Sequence, residues 1–312
     1  MITRAARIAA AAGLLLCACS PARAKSPFLA FYDYDAGAPL NAFAGKIKSP
    51  PQVVRYRVAF DSVNGERVPA VLQTPSRGAG PHPCVIAQHG YTMSKSQMIM
   101  LMHSLTESGY ALFAIDAQYH GDRAEPGKNI FSKDVELDIE ALRQTVIDLR
   151  RGIDFLETRR EIDASRITYV GVSMGGILGS ILSGVDERVK APVLVDAGGG
   201  WRTLIANSRI APAVALRRDF ENGGATLEAF ADRAKFIEPL NYVWRISPRP
   251  VLFINGKEDL YVPAESIKLL HEAAAEPVEI VWFDSVEGDP TGHIPPFDEV
   301  KRHCLRWWEA HL

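Results

Sequence analysis

The sequence predicts an open, mostly parallel α/β sheet with helices on both faces, entered through an antiparallel hairpin and interrupted once by a helical insertion. Three observations carry this. Strand-like and helix-like runs alternate from residue 84 to 196 and again from 251 to 312, the order that builds a parallel sheet. The strands are unbroken apolar runs such as "CVIAQ" and "ALFAI", as expected where helices cover both sides. Between residues 200 and 247 the alternation stops.

Taken in order, "VVRYRVAF" at 53–60 and "RVPAVLQT" at 67–74 flank a turn containing Asn64-Gly65. These residues accept the left-handed backbone that a hairpin turn requires. The turn-rich "PSRGAGPHP" then leads into strand 84–88, a helix over about 95–108, strand 111–116 and a long helix over about 134–158. In the long helix Val135, Ile139, Leu142, Val146, Leu149, Ile153 and Leu156 recur at threes and fours, giving one apolar stripe to lie on a sheet. "ITYVGVS" is the next strand, a helix starts at 174, and "APVLVDAG" is a further strand. The stretch 200–247 holds short helical pieces and many aromatic residues, among them Trp201, Phe220, Phe230, Tyr242 and Trp244. It reads as a small helical cap over the carboxyl edge of the sheet, where open α/β folds bind ligands; Trp201 and Trp244 are its candidate substrate contacts. Strand, helix, strand, helix then completes the chain.

Ahead of residue 53 the reading differs. Arg4 and Arg7, an apolar run from Ile8 to Ala18 and small residues after it form an export signal over 1–24, too short to span a bilayer. Two processing sites compete: "LCAC" resembles a lipoprotein box in which Cys19 is lipidated, whereas Ala22-Arg23-Ala24 fits a small-x-small cleavage site. Either places the protein in the periplasm or cell envelope, with or without a lipid anchor. Residues 25–52 are then an amino-terminal extension and 53–312 the folded domain. Cys84 falls in a buried strand and Cys304 in the last helix, and we expect two separate thiols, although an oxidising compartment permits a disulfide.

The 312 residues carry a formal charge of −2 with acids and bases scattered along the chain. No basic block is long enough to follow a phosphate backbone, so nucleic acid is not an expected partner. Neither a Cys-x-x-Cys pair nor a His-Glu-x-x-His spacing occurs, and no metal or cofactor is called for.

The chemistry concentrates in "TYVGVSMGGILGS" at 168–180. Ser173 sits between glycines, after an apolar strand and before a helix-forming run, the setting in which a sharp turn projects a serine hydroxyl from a sheet edge. Serine is a poor nucleophile unless a base removes its proton, and the base needs an acid to orient it. Asp259 in "FINGKEDLYVP" and His293 in "GDPTGHIPP" follow the next two strands in the order serine, acid, histidine. Glu258 is the nearest rival to Asp259; of the eight histidines, His293 is the one in the loop after the final strand, preceded by Gly292.

Through "GVSMGG", "NGKEDLYVP", "TGHIP" and "QHGYTMSK", residues 53–312 resemble the α/β-hydrolase family, in particular its bacterial esterases and dienelactone-hydrolase-like members. The resemblance implies a Ser173–His293–Asp259 triad and an oxyanion hole made by the backbone N–H groups of Tyr91 and Met174. A helix starting at Met174 would direct unsatisfied amides at developing negative charge. The chain departs from relatives in two places. "HGY" replaces the multi-glycine form of the hormone-sensitive-lipase branch, and "DAQYHGDR" replaces a shorter pattern after strand 111–116. His120 and Asp122 in that stretch, and His89 before Gly90, read as loop-shaping residues. The implied activity is hydrolysis of carboxylic esters, small or polymer-borne, through an acyl-enzyme. A peptidase of the same fold would use the same three residues, and a non-catalytic binding protein need keep none. An aspartate-based dehalogenase or a thiol hydrolase is excluded by the serine at 173.

Overall fold

The computed structural model describes residues 25–312 except Ala79 and Gly224; residues 1–24, read from the sequence as an export signal, and Cys19 within them lie outside the described residues. Nine strands form one sheet: β1 Phe43–Ile47, β2 Val53–Asp61, β3 Arg67–Pro75, β4 His82–Gln88, β5 Ala111–Ile115, β6 Ile162–Val172, β7 Val189–Val195, β8 Val251–Gly256 and β9 Val278–Phe283. Their spatial order is β1-β2-β3-β5-β4-β6-β7-β8-β9. β1, β2, β3 and β5 pair antiparallel in turn, and from β5 through β9 every pairing is parallel. The sheet is therefore the open α/β sheet that the alternating pattern predicts. The hairpin turn has both Asn64 and Gly65 at positive φ, +57° and +74°, so that the strands keep their twist through it.

The helices are α1 Pro27–Ala30, α2 Lys95–Leu101, α3 Ser104–Glu107, α4 Val135–Glu157, α5 Met174–Val185, α6 Trp201–Asn207, α7 Ala211–Glu221, α8 Leu227–Arg233, α9 Ala264–Ala273 and α10 Phe297–His311. The helix expected over 95–108 is thus two pieces. α4 starts at an Asp134 cap whose side chain accepts the Leu137 amide, satisfying one of the free amides of a helix start. Leu149, Ile153 and Leu156 of its stripe pack with Phe60, Phe113 and Phe155 under one face of the sheet. The other face is covered by Met98, Ile99 and Leu105 from α2 and α3 and by Val300, Cys304, Trp307 and Trp308 from α10. Cys84 belongs to the first layer and Cys304 to the second, both buried and free. The sheet itself keeps the two thiols apart.

The region 200–247 supplies α6, α7, α8 and three short 3-10 turns, which close over the carboxyl ends of the parallel strands. Its core joins the top of α4 and α5 through Leu142, Val146, Ile177, Trp201, Leu204 and Phe230. The extension ahead of residue 53 is built into the fold in two ways that its composition does not announce. It adds edge strand β1, and it inserts an aromatic cluster, Phe28, Phe31 and Tyr32, against Phe236 and Tyr242 of the cap. Tyr32 is fully buried and donates its hydroxyl to the Phe236 carbonyl at 3.0 Å. Among the described residues no helix is long and apolar enough to cross a membrane.

Truncating Tyr32 removes a buried ring that joins extension to cap. We expect Tyr32→Ala to lose about 3–5 kcal/mol, as other large buried rings do, read as a lower urea midpoint with the far-ultraviolet spectrum retained.

Candidate active site

Ser173 stands between the end of β6 and the start of α5 with φ +57° and ψ −117°, a conformation that costs a non-glycine residue on the order of 1–3 kcal/mol. The surroundings hold it there. Its amide donates to the Val195 carbonyl on β7 at 2.8 Å, and α5 is pressed onto the strands from above. A Cβ at Gly171 would lie 2.3 Å from the Gly175 carbonyl oxygen, and one at Gly175 would lie 2.4 Å from that of Gln88. The two glycines of the motif are therefore required by backbone-to-backbone approach.

The three residues named from the sequence converge. Ser173 Oγ is 2.9 Å from His293 Nε2, and His293 Nδ1 is 2.7 Å from Asp259 Oδ2. Asp259 is nearly buried; its Oδ1 accepts the amides of Tyr261 and Val262 at 2.8 and 2.9 Å, so with His293 the carboxylate has three donors. Glu258 turns away and meets the Ser285 hydroxyl. The histidine loop is wound around Asp289, whose carboxylate accepts the amides of Thr291 and Ile294, while the Thr291 hydroxyl accepts the His293 amide. Burial alone would depress His293, but the hydrogen bond and charge of Asp259 outweigh it and hold the imidazole above the ordinary histidine value. Its Nδ1 proton is fixed toward Asp259, leaving Nε2 to accept the serine proton.

Tyr91 and Met174, whose amides the sequence suggests as oxyanion donors, both line a cavity at Ser173. Met174 is the first residue of α5, where a helix leaves its amides without internal partners. The Gly90–Tyr91 peptide is oriented by His89. His89 Nε2 accepts the Ala117 amide at 3.0 Å, so its Nδ1 carries the proton and donates to the Gly90 carbonyl at 2.8 Å. A planar trans peptide then turns the Tyr91 N–H to the opposite side. Burial pushes His89 down to about 4, which keeps this tautomer neutral. The Tyr91 ring packs on His120 and Phe131 and its hydroxyl accepts from Asn129 at 2.6 Å.

The "DAQYHGDR" stretch is a buried polar knot beneath this loop. Asp116 accepts the backbone amides of Lys95 and Asp122 and pairs with the Lys95 ammonium, which also meets Asp122 at 2.7 Å. Arg123 bonds Asp148 at 2.7 Å and Glu66 at 3.0 Å. His120 donates Nδ1–H to the Gln118 carbonyl at 2.9 Å. These residues shape the loop, the role their positions suggest.

Two cavities meet at Ser173. A narrow apolar pocket of about 70 Å³ runs under the cap between Tyr91, Phe131, Ile177, Trp201, Leu216 and Phe230. A wider groove of about 480 Å³ opens on the histidine side between Thr92, Met93, His293, Ile294, Pro295 and Phe297. Trp201 therefore lines the pocket, anchored by its ring N–H on the Ile237 carbonyl at 3.0 Å. Trp244 corrects the expectation placed on it: it is half exposed on the last 3-10 turn of the insertion, where the Arg245 guanidinium lies over its ring, and it lines neither cavity. Two buried groups near the serine escaped the sequence reading, Asp138 at the pocket and Asp196 behind the triad. Asp196 stands in "LVDAG", directly after a strand, the one signal that could have raised it.

The nine-stranded sheet and the serine turn define an α/β-hydrolase. The family model for acetyl xylan esterase (AXE1) matches residues 42–196, just under half of the chain. YtaP of Bacillus subtilis (strain 168) is 25% identical over 78% of this chain and 83% of its own length, and the esterase YjfP of Escherichia coli (strain K12) is 26% identical over 63% and 76%. Among solved structures, the acetyl xylan esterase from Paenibacillus sp. R4 superposes with a TM-score of 0.77 at 24% identity, covering 92% of this chain and 95% of that one. Acetyl xylan esterase 1 from Thermoanaerobacterium sp. JW/SL YS485 gives 0.76 at 16% identity over 90% and 92%. The chain thus has the α/β-hydrolase fold and is similar to bacterial hydrolases and esterases.

The imidazole of His293 is expected to titrate above the ordinary histidine value. In Asp259→Asn the largest raising contribution is gone while burial remains, so the titration moves to lower pH. Histidine side-chain nitrogen shifts followed by NMR from pH 4 to 9 test this, and a midpoint that does not fall in the variant refutes the electrostatic assignment.

Proposed function

We propose that the protein hydrolyses short-chain carboxylic esters, acetyl esters above all, through an acyl-enzyme on Ser173. His293 takes the serine proton as Oγ attacks the ester carbonyl, and Asp259 holds the imidazolium that forms. The amides of Tyr91 and Met174 stabilise the oxyanion, each worth on the order of 10²-fold in rate. His293 then delivers its proton to the departing alcohol oxygen, and water repeats the sequence on the acyl-serine.

The observation that carries the assignment of the two halves of the substrate is the position of His293. The leaving oxygen must lie within hydrogen-bond reach of Nε2, so the alcohol lies on the side where the imidazole is. His293 borders the wide groove and not the narrow pocket. The groove thus takes the alcohol, and the pocket, with room for only a few heavy atoms, takes the acyl group. A short acyl on a bulky alcohol, such as an acetylated sugar, fits both and accords with the acetyl xylan esterase match over residues 42–196. The amino-terminal export signal would place this activity in the cell envelope.

With p-nitrophenyl esters of two to eight acyl carbons, kcat/KM should be highest for acetate and fall as the chain outgrows the pocket, with acetate also released from acetylated xylan. Ser173→Ala should lower kcat on the order of 10⁶-fold. A preference for octanoate would overturn the pocket assignment, and undiminished hydrolysis by Ser173→Ala the mechanism.

A further inference from the structure

Behind the triad lies a second buried carboxyl that the mechanism above does not use. Asp196 follows β7 with φ +48°, a left-handed backbone that Asp and Asn tolerate best after glycine. It is fully buried. Oδ1 accepts the Gly256 amide at 2.9 Å, while Oδ2 is enclosed and has no hydrogen-bond partner among the described residues. One polar atom from each of Asp196, Asp259 and His293 lies within 4.8 Å of the others.

Two buried carboxyls this close, served by one imidazole, cannot both hold a negative charge without a large cost. Their donor sets decide which one is ionised. Asp259 has three, two backbone amides and the His293 Nδ1–H; Asp196 has the Gly256 amide alone. The groups facing Asp196 are His293, Asp259 and Asp289; burial first, with the Asp259 and Asp289 charges adding and His293 opposing, holds it well above the usual carboxylate range.

The amide that Asp196 accepts is a hinge point of the site. A Cβ on Gly256 would lie 2.4 Å from the Gly292 carbonyl oxygen, and one on Gly292 would lie 2.5 Å from that of Glu258. The acid loop and the histidine loop therefore meet where Gly256, three residues before Asp259, touches Gly292, the residue before His293, with the Leu260 amide donating to the Thr291 carbonyl at 2.9 Å alongside.

We propose that Asp196 is a positioning residue held as a neutral carboxylic acid: its Oδ1 pins Gly256, and through it the loops of Asp259 and His293, without placing a second negative charge beside the triad. The positional part rests on the hydrolase reading; the protonation part does not.

Asp196→Asn keeps the acceptor and the neutral state, and Asp196→Ala removes the acceptor. Difference infrared spectra at neutral pH should show a protonated carboxylic acid band that Asp196→Asn abolishes. On p-nitrophenyl acetate, Asp196→Ala should lose on the order of 10²-fold in kcat with KM little changed, as a small displacement of catalytic groups does. Asp196→Asn should recover most of that loss and keep the acid limb of its pH profile in place. No band lost in Asp196→Asn, or an acid limb that moves to lower pH, would mean that Asp196 is ionised and overturn the proposal; so would Asp196→Ala with undiminished kcat. Should Asp196→Ala not fold, the Asn variant decides by band and limb together. If no ester is hydrolysed at all, the hydrolase reading fails while the infrared band still reports on the proton.

Discussion

Everything at the site depends on how closely helix α5 approaches the sheet. The left-handed backbone of Ser173 is stable only because the Val195 carbonyl fixes its amide from one side while the first turn of α5 is packed against Gln88 and Gly171 from another. That approach leaves no space for a Cβ at the neighbouring positions. Once the helix is seated, its first amide and the serine hydroxyl share one small volume, and charge developing there meets a dipole already oriented. Strain at one residue is thus sustained by packing spread over three strands, β4, β6 and β7.

The remaining parts are fastened to the same edge by polar anchors within the loops. Asp289 organises the histidine loop, Asp259 collects two amides of its own loop, and His89 fixes the peptide ahead of Tyr91. Each anchor converts a flexible connection into a rigid one by satisfying backbone groups that would otherwise need water. The Lys95–Asp116 pair does the same for the loop below. A pair this deeply buried returns little net stability, so its contribution is to the shape of the loop that carries Tyr91.

How much of this was legible in the sequence follows from the range of the signals. Apolar periodicity, a local signal, set out α4 and the parallel strands, and the serine, acid and histidine motifs announced themselves because each occupies a loop directly after a strand. What stayed hidden was non-local. Strand β1 lies in an extension whose strand has exposed Phe43 and Ile47 on it and carries little alternation. The docking of Phe28, Phe31 and Tyr32 depends on a partner more than 200 residues away in the chain. Trp201 and Trp244 have the same composition-level claim on the site, and only the tertiary fold buries one on α6 and leaves the other half exposed on the last 3-10 turn. Asp196 looked like one more polar residue closing a strand; its meaning comes from Gly256, 60 residues on.

The separation of Cys84 and Cys304 by the full thickness of the sheet has a consequence for how the chain matures. Both thiols are sealed in apolar layers, where burial pushes them far above the range in which thiolate forms, and reactivity requires the thiolate. The described fold therefore closes no covalent cross-link and offers no handle to oxidants or to disulfide-exchange catalysts. Among the described residues, conformational stability therefore rests on packing and polar contacts, with no cysteine cross-link contributing.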